Sequence, residues 1–309
     1  MLIYYSPFNK EPMNNNEPII VPLNIRTVPM SRALTWYKNA LLLIKAQPLV
    51  MFLTSAWIIF TQLFLSGVLP IVGTVIFLLI SPAIAFGMAD LCQKIRLQEP
   101  ASPLSIFSPL FHSIRNRLLS LGLIFAVILF ALFILGQTFV DQTAMGEILN
   151  KIIALQSLDD LEQMRTQSKE VFALALQQKG LILAFGVMLA GSTLAQILLM
   201  YSPMYAVWQN AEAPQAVWLS IRTIFKNFLP IAFALILVML TLGALSVLVS
   251  VLGMFVPSLT MFAIMGIWIL FNALINAITY TSYYDIIRSS LTHSVQANIE
   301  QIINDAEQK

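Results

Sequence analysis

The chain has 309 residues, of which 58% are hydrophobic and only 10% are charged. Ordinary soluble domains average about 45–50% and about 25%, so the composition excludes a typical soluble fold and indicates a protein whose solvent is largely lipid. The single cysteine, Cys92, excludes an intramolecular disulfide, and two histidines make a histidine-based metal site hard to build. The net charge of +2 is uninformative until the charges are placed along the chain.

The amino-terminal region lacks the basic start, apolar core and cleavage site of a secretory signal, so the first span is expected to drive insertion. We expect residues 1–29 to form a flexible cytoplasmic segment. Residues 30–47 then form an amphipathic segment, in which Arg32 and Lys38 lie opposite a face that includes Trp36.

Six later stretches are long and apolar enough to cross a hydrocarbon layer about 30 Å thick. They lie near residues 48–68, 69–91, 118–140, 180–206, 228–256 and 258–284. Gly/Pro interruptions at Ser66 to Pro70 and at Gly253 to Ser258 divide two long hydrophobic runs into helical hairpins. The predicted fold class is therefore all-α: a polytopic membrane helix bundle with six transmembrane helices arranged as three hairpins.

Each hairpin is preceded by an amphipathic segment, which indicates an internal repeat. Residues 103–117, interrupted by Pro109, precede the second hairpin, and residues 214–229 precede the third. Such segments suit the headgroup layer, with tryptophans at the interface and basic side chains toward anionic lipid. Ser81-Pro82 and Ser202-Pro203 mark two returning spans at matched positions, where a proline is expected to bend the helix.

Lys and Arg are distributed unequally between the two sides of this topology. Thirteen of the 17 lie on the side of both termini, and four lie in the 141–179 loop. The positive-inside bias therefore predicts that both termini, including the 290–309 tail, are cytoplasmic. The 141–179 loop is then external, and Ser157 to Asp160 resembles a helix cap. A helix against the outer leaflet and a partner-docking or substrate-gating element are both open interpretations of this loop.

Candidate functional residues fall into two groups. The basic residues of the amphipathic segments and loops are candidate ligands for lipid headgroups: Arg32, Lys38, Arg115, Arg117, Arg222 and Lys226. Asn272 and Asn276, one turn apart in the last span, are candidates for a polar path, although such amides more often hydrogen-bond neighbouring helices.

The sequence has no phosphate-binding glycine loop, HExxH, CxxC or paired intramembrane carboxylates. We therefore predict a non-enzymatic protein with no cofactor, no metal and no nucleic-acid partner. Membrane lipids are the predicted partners, and other membrane proteins are further candidates. The leading hypothesis is a role in envelope assembly or lipid organisation. The alternative is a small transporter or channel for an uncharged or amphipathic substrate.

Short motifs near both ends of the chain carry a family resemblance. The opening Arg26-Thr27-Val28-Pro29, followed by Trp36, Gln47-Pro48 and Ser81-Pro82, resembles a family of multi-pass inner-membrane proteins from beta- and gammaproteobacteria without an assigned activity. The segment from Tyr280 to Arg288 is similar to the end of the membrane domain found in some glycerophosphodiester phosphodiesterases. The resemblance implies a bacterial inner-membrane location. It implies no phosphodiesterase activity, because that catalytic domain is absent from the sequence.

Overall fold

The computed structural model describes residues 25–155 and 161–288, and within these ranges it is all-α. The described residues form eleven α-helices, one 3-10 helix between the third and fourth α-helices, and a short π-helical segment after the last. There is no strand among them. Six helical stretches in the described part of the chain are long and apolar enough to cross a membrane. The predicted fold class is confirmed, and the chain is a multi-pass membrane protein. The predicted cap from Ser157 to Asp160 lies outside the described residues.

The first hairpin follows a short surface helix. Helix α1 spans Arg32–Ala46, α2 spans Pro48–Val68 and α3 spans Pro70–Leu97. Pro48 and Pro70 are the first residues of α2 and α3. Proline is tolerated there because N–H groups in the first turn of a helix have no intrahelical acceptor, so no hydrogen bond is lost. Pro82 lies inside α3, which continues past it, and the residue that caps the carboxyl end of α3, Gln98, has φ 58°.

The second hairpin contains the largest differences from the predicted map. The 103–117 segment is a 3-10 helix, Pro103–Phe111, and α4 then begins at Arg115 and ends at Gln137. The external segment contains two helices, α5 (Gln142–Leu155) and α6 (Leu161–Gln177). The returning span, α7 (Lys179–Leu199), ends before Pro203, and α8 (Ser202–Trp208) begins anew. The expected bend at Pro203 is thus a break between two helices.

The third hairpin repeats the design of the first. Surface helix α9 spans Ala213–Lys226, α10 spans Phe228–Phe255 and α11 spans Pro257–Tyr283, followed by the π-helical segment Tyr284–Arg288. A single residue joins the spans in both hairpins. Leu69 has φ −133° and ψ 78°, and Val256 has φ −136° and ψ 79°. Both precede a proline, which excludes the helical conformation and forces the turn.

The surface elements do not pack mainly on the hairpins that follow them. The 3-10 helix packs on α3 and α2, and α9 packs on α8, α7 and α4. Helix α1 packs on α11 and α10, at the other end of the chain. Each surface element therefore packs on the preceding hairpin, and α1 completes a ring by joining the third. In space, the first and second hairpins therefore pack mainly with the surface element that follows them in the chain, and not with the one that precedes them.

Packing is concentrated at one end of the bundle. We call this the basic end: it holds α1, α8, α9 and the carboxyl ends of α3 and α11, with Lys38, Lys45, Lys94, Arg96, Arg115, Arg117, Arg222 and Lys226. The opposite end, with the turns at Leu69 and Val256, is the hairpin end. The buried residues of α10 stop at Val238, and in the part of α11 whose side chains the structure describes, from Thr260 onward, they start at Ala273. The third hairpin is therefore packed at the basic end and open toward the hairpin end.

Candidate functional site at the basic end

A buried carboxylate connects the two ends of the described chain. Asp285 accepts hydrogen bonds from Arg32 Nε at 2.7 Å and from the indole Nε1 of Trp36 at 2.8 Å. A second Arg32 nitrogen lies 2.5 Å from the other carboxylate oxygen, so the guanidinium binds in the bidentate manner that arginine favours. The hydrogen bond to Asp285 raises the pKa of Arg32 above its ordinary value.

This cluster corrects two sequence-based expectations for α1. Trp36 is only 1% exposed, so it lies in the core and not in the headgroup layer. The predicted apolar face is divided, since Ala33, Trp36 and Ala40 are buried while Leu34 and Leu41 are exposed. Arg32 anchors α1 to the end of α11, whereas Lys38 is exposed, as its candidate role as a headgroup ligand requires.

The segment from Ile25 to Val28 is fastened across the basic end, and we call it the strap. The side chain of Asn227 accepts a hydrogen bond from the Val28 N–H at 2.9 Å and donates one to the Arg26 carbonyl at 3.0 Å. Lys226 donates to the Ile25 carbonyl at 3.3 Å, and the Arg26 N–H donates to the carbonyl of Ile286 at the same distance. The strap therefore joins the α9–α10 corner to the end of α11.

An aromatic cluster fills the space between α8 and α11. The rings of Tyr201, Tyr205 and Trp208 all contact Tyr283, with centroids 5.3–6.0 Å apart. Buried hydroxyls add hydrogen bonds, from Tyr201 to Ser282 at 2.8 Å and from Tyr205 to Thr223 at 2.6 Å. This cluster joins the second and third hairpins at the basic end.

Helix α9 presents three distinct faces. The packed face is made of small and polar residues, including Ala216, Ser220 and Thr223, which fit closely against α8. The apolar face predicted from the sequence is divided, since Ile224 is 3% exposed and belongs to the packed side, whereas Trp218 is 64% and Phe225 69% exposed. These two side chains and the 59% exposed Phe228 at the start of α10 form an outward apolar row. Arg222 and Lys226, both exposed, form the third face. An amphipathic helix whose apolar row is not used for packing suits the boundary between headgroups and acyl chains.

The remaining basic candidates divide in the same way. Arg115 is exposed at the start of α4, beside the 83% exposed Phe111. Arg117 instead hydrogen-bonds the side-chain oxygen of Asn210 and lies 3.8 Å from a Glu212 carboxylate oxygen. The candidates are therefore spread over the basic end, some in structural contacts and others free for solvent or lipid.

Asn272 and Asn276 are half-buried in α11. The amide nitrogen of Asn276 donates to the backbone carbonyl of Asn272 at 2.8 Å. Neither side chain hydrogen-bonds another helix among the described residues.

Sequence reasoning missed the residues that organise the basic end. Neither Asp285 nor Asn227 is among the candidate residues that the sequence indicates. The one signal for Asp285 is its place in the Tyr280 to Arg288 segment, which is similar to the end of a membrane domain found in some glycerophosphodiester phosphodiesterases.

Together, the fold and this site define a multi-pass α-helical membrane protein with a tightly packed, basic end. No protein-family model matches the chain, and no curated protein or solved structure matches it significantly. The resemblance to the proteobacterial inner-membrane family therefore stays a prediction. Among residues 25–155 and 161–288, no three His, Cys, Asp or Glu side chains are grouped as a metal site would require.

Proposed function

We propose that this chain is a non-enzymatic protein of the bacterial inner membrane that binds anionic phospholipid at its basic end and thereby supports envelope organisation. The observation that carries the proposal is the outward apolar row of α9. Trp218 and Phe225 of α9, and Phe228 at the start of α10, are exposed although α9 packs closely on the bundle through another face. Exposed aromatic side chains beside arginine and lysine are typical of a helix seated in the headgroup layer.

The placement of charge supports a cytoplasmic location for the basic end. Thirteen of the 17 Lys and Arg residues of the chain belong to this side of the topology. Positively charged loops are retained in the cytoplasm, where the membrane surface is also rich in anionic lipid. The bacterial inner-membrane assignment additionally draws on the resemblance carried by Arg26 to Pro29 and Trp36.

The proposed binding combines two forces. The aromatic row of α9 reaches the acyl boundary, and its basic face reaches the phosphate layer. Each basic residue near an anionic surface contributes about 1 kcal/mol, and Arg115 and Lys38 extend the same field around the bundle. Several weak contacts of this kind would hold a shell of anionic lipid without a deep pocket.

Lipid retention measured by native mass spectrometry tests the proposal. Protein from mixed phosphatidylglycerol and phosphatidylcholine nanodiscs should retain phosphatidylglycerol preferentially. In the variant with Arg115→Gln and Arg222→Gln that preference should fall by a factor of about 30, the equivalent of roughly 2 kcal/mol for two basic residues. The matched control carries Lys151→Gln and Lys169→Gln at the hairpin end and should keep the preference. Equal retention of both lipids by the wild type would contradict the proposal.

Solute flux through proteoliposomes distinguishes the proposed lipid-binding role from the alternative, a small transporter or channel. Proteoliposomes challenged with a panel of neutral and amphipathic solutes should show no flux above that of empty liposomes. Robust flux that is lost on Asn272→Leu would overturn the non-transporting role, because that residue lies in the span and away from the basic end.

A further inference from the structure

The second and third hairpins meet only at the basic end. Within the described residues, α7 forms no extended interface with α10 or α11, and the two hairpins are joined through α8, α9 and the aromatic cluster. No residue from Met239 to Val256 is buried, and none from Thr260 to Asn272. The face of α11 that looks toward the second hairpin is therefore unpacked beyond the aromatic cluster, and we call the lipid-accessible space beside it the groove.

One face of α11 lines this groove with amide and hydroxyl groups. Tyr283 contacts the rings of α8 and so fixes the face that looks toward the second hairpin. Thr279, Asn276 and Asn272 precede Tyr283 by about one, two and three helical turns, which places them on the same face. Asn272 lies about 16 Å from Tyr283 along the helix, and thus deep within the span.

These polar groups keep hydrogen-bonding capacity that α11 itself does not use. Thr279 donates to the Ile275 carbonyl at 2.9 Å, and one N–H of Asn276 donates to the Asn272 carbonyl at 2.8 Å. The Asn276 side-chain oxygen and the Asn272 amide make no hydrogen bond to a described residue. An amide in hydrocarbon is costly unless a partner satisfies it, so the half-buried pair favours a ligand with both donor and acceptor groups.

The helices beside the groove disfavour a charged ligand. Helices α10 and α11 contain no charged residue, and the only one in α7 is Lys179 at its hairpin end. A phosphate brought to the depth of Asn272 would lose its hydration without a cation to replace it. A neutral lipid has no such penalty.

We propose that this groove binds a neutral glyceride of the diacylglycerol class. Its hydroxyl is the donor and its ester carbonyls are the acceptors that Asn272 and Asn276 need. Its two acyl chains occupy the apolar walls, which include the 58% exposed Trp268 one turn before Asn272. The site is independent of the anionic-lipid contacts at the basic end.

Photocrosslinking in nanodiscs tests the site, with diacylglycerol carrying a diazirine on one acyl chain as the probe. Peptide mapping of the wild type should place the label mainly on residues 264–279 and on α7. Unlabelled diacylglycerol should compete, and phosphatidylglycerol should not. Asn272→Leu combined with Asn276→Leu should reduce labelling about fivefold, as expected for the loss of one net hydrogen bond.

The control Gln62→Leu removes an exposed amide from a span of the first hairpin and should leave labelling unchanged. Thermal unfolding shows whether the double leucine variant is folded. If it is not, the double variant Asn272→Ser and Asn276→Ser is used in its place. The peptide map of the labelled wild-type protein tests the site without any variant. Label spread evenly over the six spans, equal labelling by a phosphatidylglycerol probe, or full labelling of a folded double variant would each overturn the proposal.

Discussion

Asp285 is the residue on which the basic end depends most. It is 8% exposed and receives one donor from Trp36 and two from Arg32, which are 249 and 253 residues away in sequence. Removing one partner of a buried charged group leaves the other desolvated and unpaired, which is more costly than the pair is stabilising. By the same argument the loss of Arg32 costs at least as much as the loss of Asp285, because it leaves a buried carboxylate without its guanidinium, whereas the Arg32 left by an Asp285 variant is 42% exposed to water.

We therefore expect Asp285→Asn to lower the free energy of unfolding by about 1–3 kcal/mol. Arg32→Gln should cost at least as much, since it leaves the buried Asp285 carboxylate without its cation. Thermal unfolding in detergent, followed by tryptophan fluorescence, measures both. A double-mutant cycle should return a coupling between the two sites.

Asp90 and Lys94 provide the control for this pair. They form a salt bridge of 2.8 Å one turn apart on α3, with side chains about 30% exposed. Asp90→Asn should cost less than about 1 kcal/mol, as solvent-exposed pairs do. Similar losses for Asp90→Asn and Asp285→Asn would contradict the role given to Asp285.

Asn227 is the second residue with a long-range role, because it holds the strap from both sides. Asn227→Ala should release residues 25–28, since the Val28 N–H and Arg26 carbonyl then lose their partner. Limited proteolysis should cut the variant after Arg26 or Arg32 at least several times faster than the wild type. Asn39→Ala, an exposed position on α1, is the control and should leave the cleavage rate unchanged.

At the scale of elements, close backbone contact decides how the spans cross. Gly122 of α4 faces the backbone of Leu79 in α3 so closely that a Cβ would overlap it. Gly186 of α7, in contrast, has nothing within 4 Å of the position where a Cβ would lie. Helices in membranes approach closely where small residues allow it.

Gly122→Ala should therefore destabilise the protein by about 1–3 kcal/mol, because α3 and α4 must move apart. Gly186→Ala should be neutral or slightly stabilising, since alanine favours the helix and the site is open. Unfolding of both variants in the same detergent measures the difference. Equal effects would mean that the α3–α4 crossing is not tightly packed.

The sequence predicted the elements better than it predicted their faces. Turns at Leu69 and Val256 followed from local chemistry, as a proline excludes helix in the residue before it. The apolar face predicted for α9 is divided, because Trp218 and Phe225 are exposed while Ile224 is buried beside small and polar residues of the packed face. Periodicity identifies the apolar face of a helix, and in a membrane that face can be left to lipid. The contacts of Asp285 could not be predicted, because 253 residues separate it from Arg32.

For the whole molecule, the predicted orientation can be tested with single cysteines. Cys92 is fully buried and should not react, so it provides a silent background. In intact cells a membrane-impermeant maleimide should label Asn150→Cys on α5 but not Gln215→Cys on α9. Lysed cells should give both labels and so provide the control. Labelling of both positions in intact cells would contradict the six-span orientation.

The ring formed by α1 and the third hairpin also sets the order in which the protein can be completed. Arg32 precedes Asp285 by 253 residues, so it leaves the ribosome well before its carboxylate partner. At about 5–20 residues per second, α1 waits roughly 13–50 s before its carboxylate partner is synthesised. During that interval the first two hairpins are inserted without the helix that closes the bundle. A chain stopped before Asp285 would leave Arg32 and Trp36 without this acceptor, so α1 can be fixed in place only after the last span has been made.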